Sequence, residues 1–206
     1  MVSIMKNCLI AAVAVLGCNL AHADAKNFEG LSANIGAYAV NSSIGFDFGG
    51  GSTIEGLGKS SYAVDVSVDY GITLSSDTVL LVGGSYGLSD PSAFSVAAGG
   101  LDGSLDAGSR MSLFAAPGVL LSDKVLAYGK LAYVSTKPTG TGDFAFGSSA
   151  KTHSGFGYGG GVRILLSPNT YVNLEAMSND YGSKTYDGTT IGAKALFAGA
   201  AVGYKF

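Results

Sequence analysis

The sequence predicts an all-β fold, an eight-stranded antiparallel up-and-down transmembrane β-barrel preceded by a cleavable signal peptide. Three observations lead there. Large apolar residues alternate with small or charged ones over long stretches. Tight turns alternate with long polar loops. Beyond residue 23 no unbroken apolar run approaches the roughly 20 residues that a spanning helix needs. Only helices and closed barrels satisfy every backbone group in hydrocarbon, so a membrane location without such a helix means a barrel.

Composition narrows the class further. Charged residues make up 13% of the chain and 32 residues are glycine, which could mean disorder, but 11 tyrosines and 10 phenylalanines are spread through it and supply surface to bury. Residues 1–23 read as a signal peptide: Lys6 gives a positive start, Cys8 to Leu16 an apolar run too short to span, and Ala21-His22-Ala23 a small-x-small cleavage site. In the competing reading Gly17-Cys18 ends a lipoprotein signal and Cys18 is lipidated, a pattern that Leu16 fits poorly. Cleavage after Ala23 leaves 24–206 as one barrel domain. Both cysteines go with the leader, so the processed chain has no thiol, disulfide or thiolate metal site. Eleven basic against fifteen acidic residues remain, a balance that argues against a nucleic-acid partner.

The first strand is expected at about Leu31 to Val40, with Leu31, Ala33, Ile35 and Ala37 on one face and Ser32, Asn34 and Gly36 on the other. The second, Tyr62 to Leu74, sets Tyr62, Val64, Val66, Val68, Tyr70, Ile72 and Leu74 against Ala63, Asp65, Ser67, Asp69, Gly71 and Thr73. Its length exceeds the usual five or six residues of a globular strand and suits a tilted membrane strand. The third, Val79 to Leu88, opposes Leu80, Val82, Tyr86 and Leu88 to Gly83, Ser85 and Gly87. The fourth, about Arg110 to Leu121, opposes Met111, Leu113, Ala115 and Val119 to Arg110, Ser112, Ala116 and Gly118, with a bulge expected at Pro117. The fifth, Val125 to Ser135, places Ala127, Leu131 and Tyr133 opposite Tyr128 and Lys130.

The sixth contains Gly155, Gly157 and Gly160, which spell the G-x-G-x-x-G of a dinucleotide cradle. A cradle needs a helix to follow, whereas here Phe156, Tyr158, Val162 and Ile164 alternate with Gly155, Gly157, Gly159, Gly161 and Arg163, and Ser167-Pro168-Asn169 then turns the chain. The glycines mark one face of a strand, and no cofactor is expected. The seventh strand, Tyr171 to Met177, sets Val172, Leu174 and Ala176 against Asn173, Glu175 and Met177. The eighth, Thr190 to Phe206, sets Leu196, Ala198, Ala200, Val202, Tyr204 and Phe206 against Gly199, Ala201, Gly203 and Lys205. Connectors 75–77, 122–124 and 167–169 are tight, whereas about 41–61, 89–108, 137–153 and 179–189 are long and polar, the alternation of periplasmic turns and outer loops.

Size and charge decide which face meets lipid. A cation on the lipid face costs on the order of 2–4 kcal/mol at mid-depth, and Asp65, Asp69, Arg110, Lys130, Arg163 and Glu175 all lie opposite the bulky apolar residues. That parity is otherwise glycine, alanine and serine, as the narrow interior of eight strands requires. These six charges are therefore expected inside. Arg163 and Glu175, near one another about a shared turn, are expected to pair.

The closing AAVGYKF, with Val202, Tyr204 and Phe206 at alternate positions, resembles the C-terminal assembly signal of bacterial outer-membrane barrels. The stretches APGVLLSDKVLAYGKLAYV (116–134) and GFGYGGGVRILLSPNTYVNLEA (155–176) resemble hairpins of the opacity-protein and related surface-antigen family. The resemblance implies an eight-stranded barrel in the outer membrane, surrounded by its lipid, inserted from the periplasm and recognised by the barrel assembly machinery through the last strand. Tryptophan is missing, so the interface girdles must use Tyr and Phe, with Tyr70, Tyr171, Tyr204 and Phe206 as periplasmic candidates.

Such barrels include adhesins, structural anchors and a few enzymes. Known barrel hydrolases rely on histidine, and His153, the one histidine outside the leader, is expected to be a solvated loop residue; Ser154 beside it faces the opposite side. No catalytic, cofactor or metal site is expected. The reading is a non-enzymatic surface protein, structural or adhesive, whose loops carry Phe46-Asp47-Phe48, Ala93-Phe94 and Phe144-Ala145-Phe146 toward a host or other surface ligand, or pack them internally. A small porin or ion channel is the alternative, and an enzyme acting on envelope lipid the third.

Overall fold

The computed structural model describes residues 24–98, 101–142, 151–186 and 188–206. Ten strands follow a short 3-10 helix, Ala25–Phe28: β1 Gly30–Asp47, β2 Thr53–Leu57, β3 Ser60–Thr73, β4 Thr78–Gly87, β5 Ser92–Ala98, β6 Leu101–Ser122, β7 Val125–Gly142, β8 His153–Leu165, β9 Thr170–Tyr186 and β10 Thr189–Lys205. Eight of them form a ring in the order β1, β3, β4, β6, β7, β8, β9, β10. The ring closes where β10 pairs antiparallel with β1 from Ser32 opposite Lys205 to Asp47 opposite Thr190. Closure leaves no unpaired edge in the ring wall, as hydrocarbon demands. β2 and β5 lie outside the ring, β2 folded back on the upper half of β1 and β5 on β6.

Alternation sends the bulky residues outward. Tyr62 is 83% exposed, and Ile35, Val68, Leu113, Leu131, Phe156, Tyr158, Leu174 and Val202 are exposed around the ring. The glycine-rich stretch Gly155 to Gly161 is strand throughout and pairs with β7 and β9. Tight turns close one end, with the Leu74 and Leu166 amides donating to the Thr78 and Thr170 carbonyls.

At the other end the described parts of the long connectors are mostly strand. β6 has 22 residues and β1 and β7 have 18 each. At about 3.3 Å per residue these overshoot a hydrocarbon belt of about 25 Å. Residues 179–186 thus continue the β9–β10 hairpin, paired up to Tyr186 opposite Thr189. The Lys194–Asp180 ion pair on the outer wall, 3.2 Å and solvent-exposed, lies beyond Leu196, the last bulky lipid-facing residue of β10.

Three sequence expectations are corrected. Pro117 makes no bulge: it pairs in register with Leu80 of β4, and the β6–β7 register is the same on either side of it. Tyr171 is not a girdle residue; it shares parity with Asn173 and is fully enclosed, while Gly203 leaves room for its ring. The interior is also not built mainly of small residues. Val79, Leu81, Phe114, Leu120, Leu126, Tyr128, Phe197 and others fill it, using the space that the glycines vacate.

The turn end is plugged. Asp24 caps the 3-10 helix by accepting from the Lys26 amide, and its own amide donates to Asp123 in the turn between β6 and β7. Lys205 donates to the Asn27 carbonyl and the Ala25 amide to the Ser76 carbonyl. These ties seat Phe28 and Ala25, both fully buried, in one apolar cluster with Val79, Leu81, Leu120, Leu126, Leu165 and Tyr171. Gly30, at φ +104, makes the bend from the plug into β1.

The glycine argument is testable. A Cβ on inward Gly161 meets the Leu174 carbonyl and the Tyr128 ring, whereas on outward Gly129 it meets nothing within 4 Å. Gly161→Leu is expected to destabilise the barrel by about 1–3 kcal/mol, lowering the temperature at which the heat-modifiable band disappears on gels. Gly129→Leu should leave that temperature unchanged.

Candidate functional site

The lumen holds three ion pairs stacked along the barrel axis. Nearest the plug, Arg163 on β8 donates from both terminal nitrogens to the two carboxylate oxygens of Asp69 on β3, at 2.9 and 2.8 Å. Its Nε donates to Asn173 at 3.0 Å, and its guanidinium lies 4.2 Å from the Tyr171 ring centroid. Asp69 and Arg163 are 2% and 3% exposed, so each is compensated almost entirely by the other. Above them Lys130 on β7 contacts both Glu175 oxygens at 2.9 Å, Tyr128 donates to the same carboxylate at 3.0 Å, and the ammonium sits 4.1 Å over Phe114. Higher still, Arg110 on β6 donates to Asp65 on β3 at 2.6 Å and to the Ser89 carbonyl at 3.2 Å.

The expected Arg163–Glu175 pair does not form. Arg163 stands opposite Asn173, and Glu175 opposite Gly161, two residues further along β9. The pairing rule is different: the partners come from strands that are not neighbours in the ring. Asp69 and Arg163 reach across the lumen. The other two pairs each skip one strand, and that strand carries glycine beneath them. A Cβ on Gly87 of β4 would press on the Arg110 guanidinium, and Gly161 of β8 lies against the Tyr128 phenol that holds Glu175. A cavity of about 60 Å³ separates the upper two pairs, room for water among Asn34, Asp65, Lys130 and Glu175. Tyr128 and Asn173 share parity with the charges; Phe114, Tyr171 and Phe197 give no sequence signal beyond that parity.

At the hairpin end the chemistry changes. Tyr181 and Phe197 form a floor, with the Arg110 guanidinium 5.4 Å below the Phe197 centroid. Above it an apolar cluster of Ile44, Phe46, Ala93, Leu105 and Ile191 closes the mouth. His153 is here, 3% exposed, on the inward parity of β8 above the lipid-facing belt, which begins on this strand at Phe156. It is not a solvated loop residue, because β8 starts at His153, which pairs with Thr136 of β7. Its Nε2 is 3.0 Å from the Tyr186 hydroxyl, the rings stack, and its enclosed Nδ1 has no hydrogen bond of its own. Burial, and then the positive charge of Lys184, hold its pKa below the ordinary value, partly offset by the Gly182 backbone. Among the described residues no group of three metal-ligating side chains occurs.

A profile described as the outer membrane protein beta-barrel domain matches residues 10–206. The chain belongs to that family. It is therefore an outer-membrane β-barrel of the bacterial envelope, with its turns periplasmic and its hairpins outside. Neisserial surface protein A is 16% identical, with 86% of this chain and 98% of that one covered and a TM-score of 0.58, and it shares the fold. The attachment invasion locus protein Ail of Yersinia pestis (18% identity, 84% and 99% covered, TM-score 0.42) and OprG of Pseudomonas aeruginosa (12%, 86% and 97%, 0.46) are more distant in structure. No curated protein matches the sequence. Val202 and Tyr204 line the outer wall of β10 and Phe206 follows it, exposed, with the last two rings edge to face at 5.3 Å. Ala21, Ala23, Cys18 and Phe144-Ala145-Phe146 lie outside the described residues.

Two outcomes are expected of this family barrel. Asp69→Leu and Arg163→Met singly should each cost about 3–5 kcal/mol, while the double variant recovers most of that loss, measured by urea unfolding in lipid. The depressed His153 pKa means that the unfolded chain binds a proton first. Stability is therefore present above the ordinary value of 6.5 and falls as pH drops below it, and His153→Phe should flatten the slope below pH 6.5.

Proposed function

We propose that this outer-membrane barrel is a non-enzymatic surface protein whose work, structural or adhesive, is done by the hairpins that project beyond the outer leaflet. The observation that carries the reading is the closed lumen. The periplasmic end is stopped by Phe28 and its apolar neighbours, and the middle is crossed by three ion pairs whose charges neutralise one another. Such an interior offers no continuous aqueous path, which disfavours a porin. His153 is engaged by a tyrosine and Ser154 points to the opposite side, an arrangement unlike a hydrolytic triad.

The hairpins, by contrast, are packed against one another and present apolar surface to water. Phe46 stacks on Phe48 at 6.2 Å between centroids and meets Phe94 edge-on at 6.4 Å. This fastens the first hairpin to the second while leaving Phe48 52% and Ile54 47% exposed. Exposed apolar residues on a fixed scaffold are the common form of a contact surface. The same reading takes Val202, Tyr204 and Phe206 as the feature that the assembly machinery recognises, and a host or other surface ligand as the partner of the hairpins.

Cells expressing the protein are expected to adhere to a host-cell layer better than cells lacking it, and Phe48→Ser with Ile54→Ser should remove most of the gain without changing the heat-modifiable band. In planar bilayers the purified protein should give no discrete conductance steps. Unaltered adhesion in the double variant together with regular current steps would reverse the assignment in favour of a pore.

A further inference from the structure

The periplasmic plug hangs on several ties, and one of them lacks a counter-charge. The Ala25 amide on the Ser76 carbonyl and the Lys205 ammonium on the Asn27 carbonyl are complete as they stand. At Asp123, in the turn between β6 and β7, the carbonyl accepts from the Asn27 side chain at 3.1 Å, and the carboxylate accepts from the Asp24 backbone nitrogen at 3.1 Å. The carboxylate of Asp24 itself accepts from the Lys26 amide at 3.0 Å. Two carboxylates therefore lie beside one backbone nitrogen. Among the described residues the ion pairs are those of Arg110, Lys130, Arg163 and Lys194, so neither Asp24 nor Asp123 has a cationic side chain for a partner, although Lys26 and Lys124 are close in sequence. A peptide N–H cannot supply the missing charge. An amine at the same place can, because it is an ammonium at neutral pH, and a charged donor makes a hydrogen bond roughly twice as strong as a neutral one.

The nitrogen in question belongs to the residue that directly follows the small-x-small pattern Ala21-His22-Ala23. We propose that removal of the leader at this point completes the plug, by creating on Asp24 an α-ammonium that Asp123 holds as an ion pair. Water adds across the Ala23–Asp24 peptide bond under a leader peptidase. The bond breaks to a carboxylate on Ala23 and an amine on Asp24, and the proton of the new carboxyl group ends on the amine. The ammonium then stands where the amide stood, within hydrogen-bond distance of Asp123. Its remaining protons are free for water or for its own carboxylate. An uncut chain has the same hydrogen bond without the charge, so its plug is tied less firmly to the β6–β7 turn. The contact is solvent-exposed, which keeps the gain modest and makes it sensitive to salt.

The test begins with the intact mass of the protein purified from outer membranes, which should correspond to a chain starting at Asp24. That protein is then compared in lipid nanodiscs with a form refolded with His22 and Ala23 retained, in which the ammonium is displaced by two residues. Opening of the plug is read from hydrogen exchange at the Ala25 amide, which is covered only while it donates to Ser76. Asp123→Asn keeps the acceptor oxygen and the backbone carbonyl and removes the charge. It should speed this exchange about threefold in the processed form at low salt and leave it unchanged in the extended form, a difference that isolates the ammonium–carboxylate coupling. In about 1 M salt the two forms should respond alike. Both forms of the variant should keep the heat-modifiable band, since the pair lies outside the ring wall. A mature chain beginning at any residue other than Asp24 overturns the proposal. Equal acceleration in both forms at low salt, which reports a neutral hydrogen bond only, or acceleration in neither, overturns it as well.

Discussion

Everything inside this barrel follows from the need to neutralise ionised side chains in a space with little water. An isolated charge there would cost several kcal/mol, so Asp69 holds both terminal nitrogens of Arg163, Glu175 holds Lys130 and accepts from Tyr128, and Asp65 holds Arg110. Neighbouring strands do not supply these partners. Their side chains stand side by side, whereas the long Arg and Lys stems lean across the lumen, and a strand lying beneath such a crossing has to give up its side chain. Gly87 and Gly161 do this. Glycine in the wall and charge in the lumen are therefore two aspects of one constraint.

The lumen is graded along its axis. An apolar plug at the periplasmic end gives way to the ion pairs, with a polar cavity between the upper two, and finally to an apolar mouth. Each boundary is a flat ring next to a cation, Tyr171 with Arg163 and Phe197 with Arg110, which lets a guanidinium face apolar surface without being left bare. The belt outside is uniform by comparison, and the difference reflects the two solvents: hydrocarbon asks only for apolar bulk, whereas the lumen must be filled by its own residues.

The ring of eight strands, the tight turns and the sidedness of the wall were legible in the sequence because each rests on a period of two, which Tyr62 to Leu74 displays almost without interruption. The contents of the lumen were less so. Parity places Arg163 and Glu175 on one face but says nothing about tilt, and the shear of a closed ring decides that Arg163 meets Asp69 from the far wall. The plug escaped notice because a single Phe28 in a four-residue helix has no periodicity. His153 looked like a loop residue because strand extension beyond the membrane leaves little trace in a glycine-, serine- and threonine-rich stretch. The bulge expected at Pro117 rested on a local rule about missing amides, and the paired strands on both sides carried the register through it.

The plug is fastened to the last strand by the Lys205 ammonium and to two turns by Ser76 and Asp123, so residues 24 and 206 are held on the same side of the membrane. An epitope or fluorescent reporter appended at either position would stay concealed in the periplasm of an intact cell. Display on the outside calls for insertion within a hairpin, and Gly49-Gly50-Gly51 offers the place: all three have positive φ and open space around them, so additional residues there would leave the seam between β1 and β10 undisturbed.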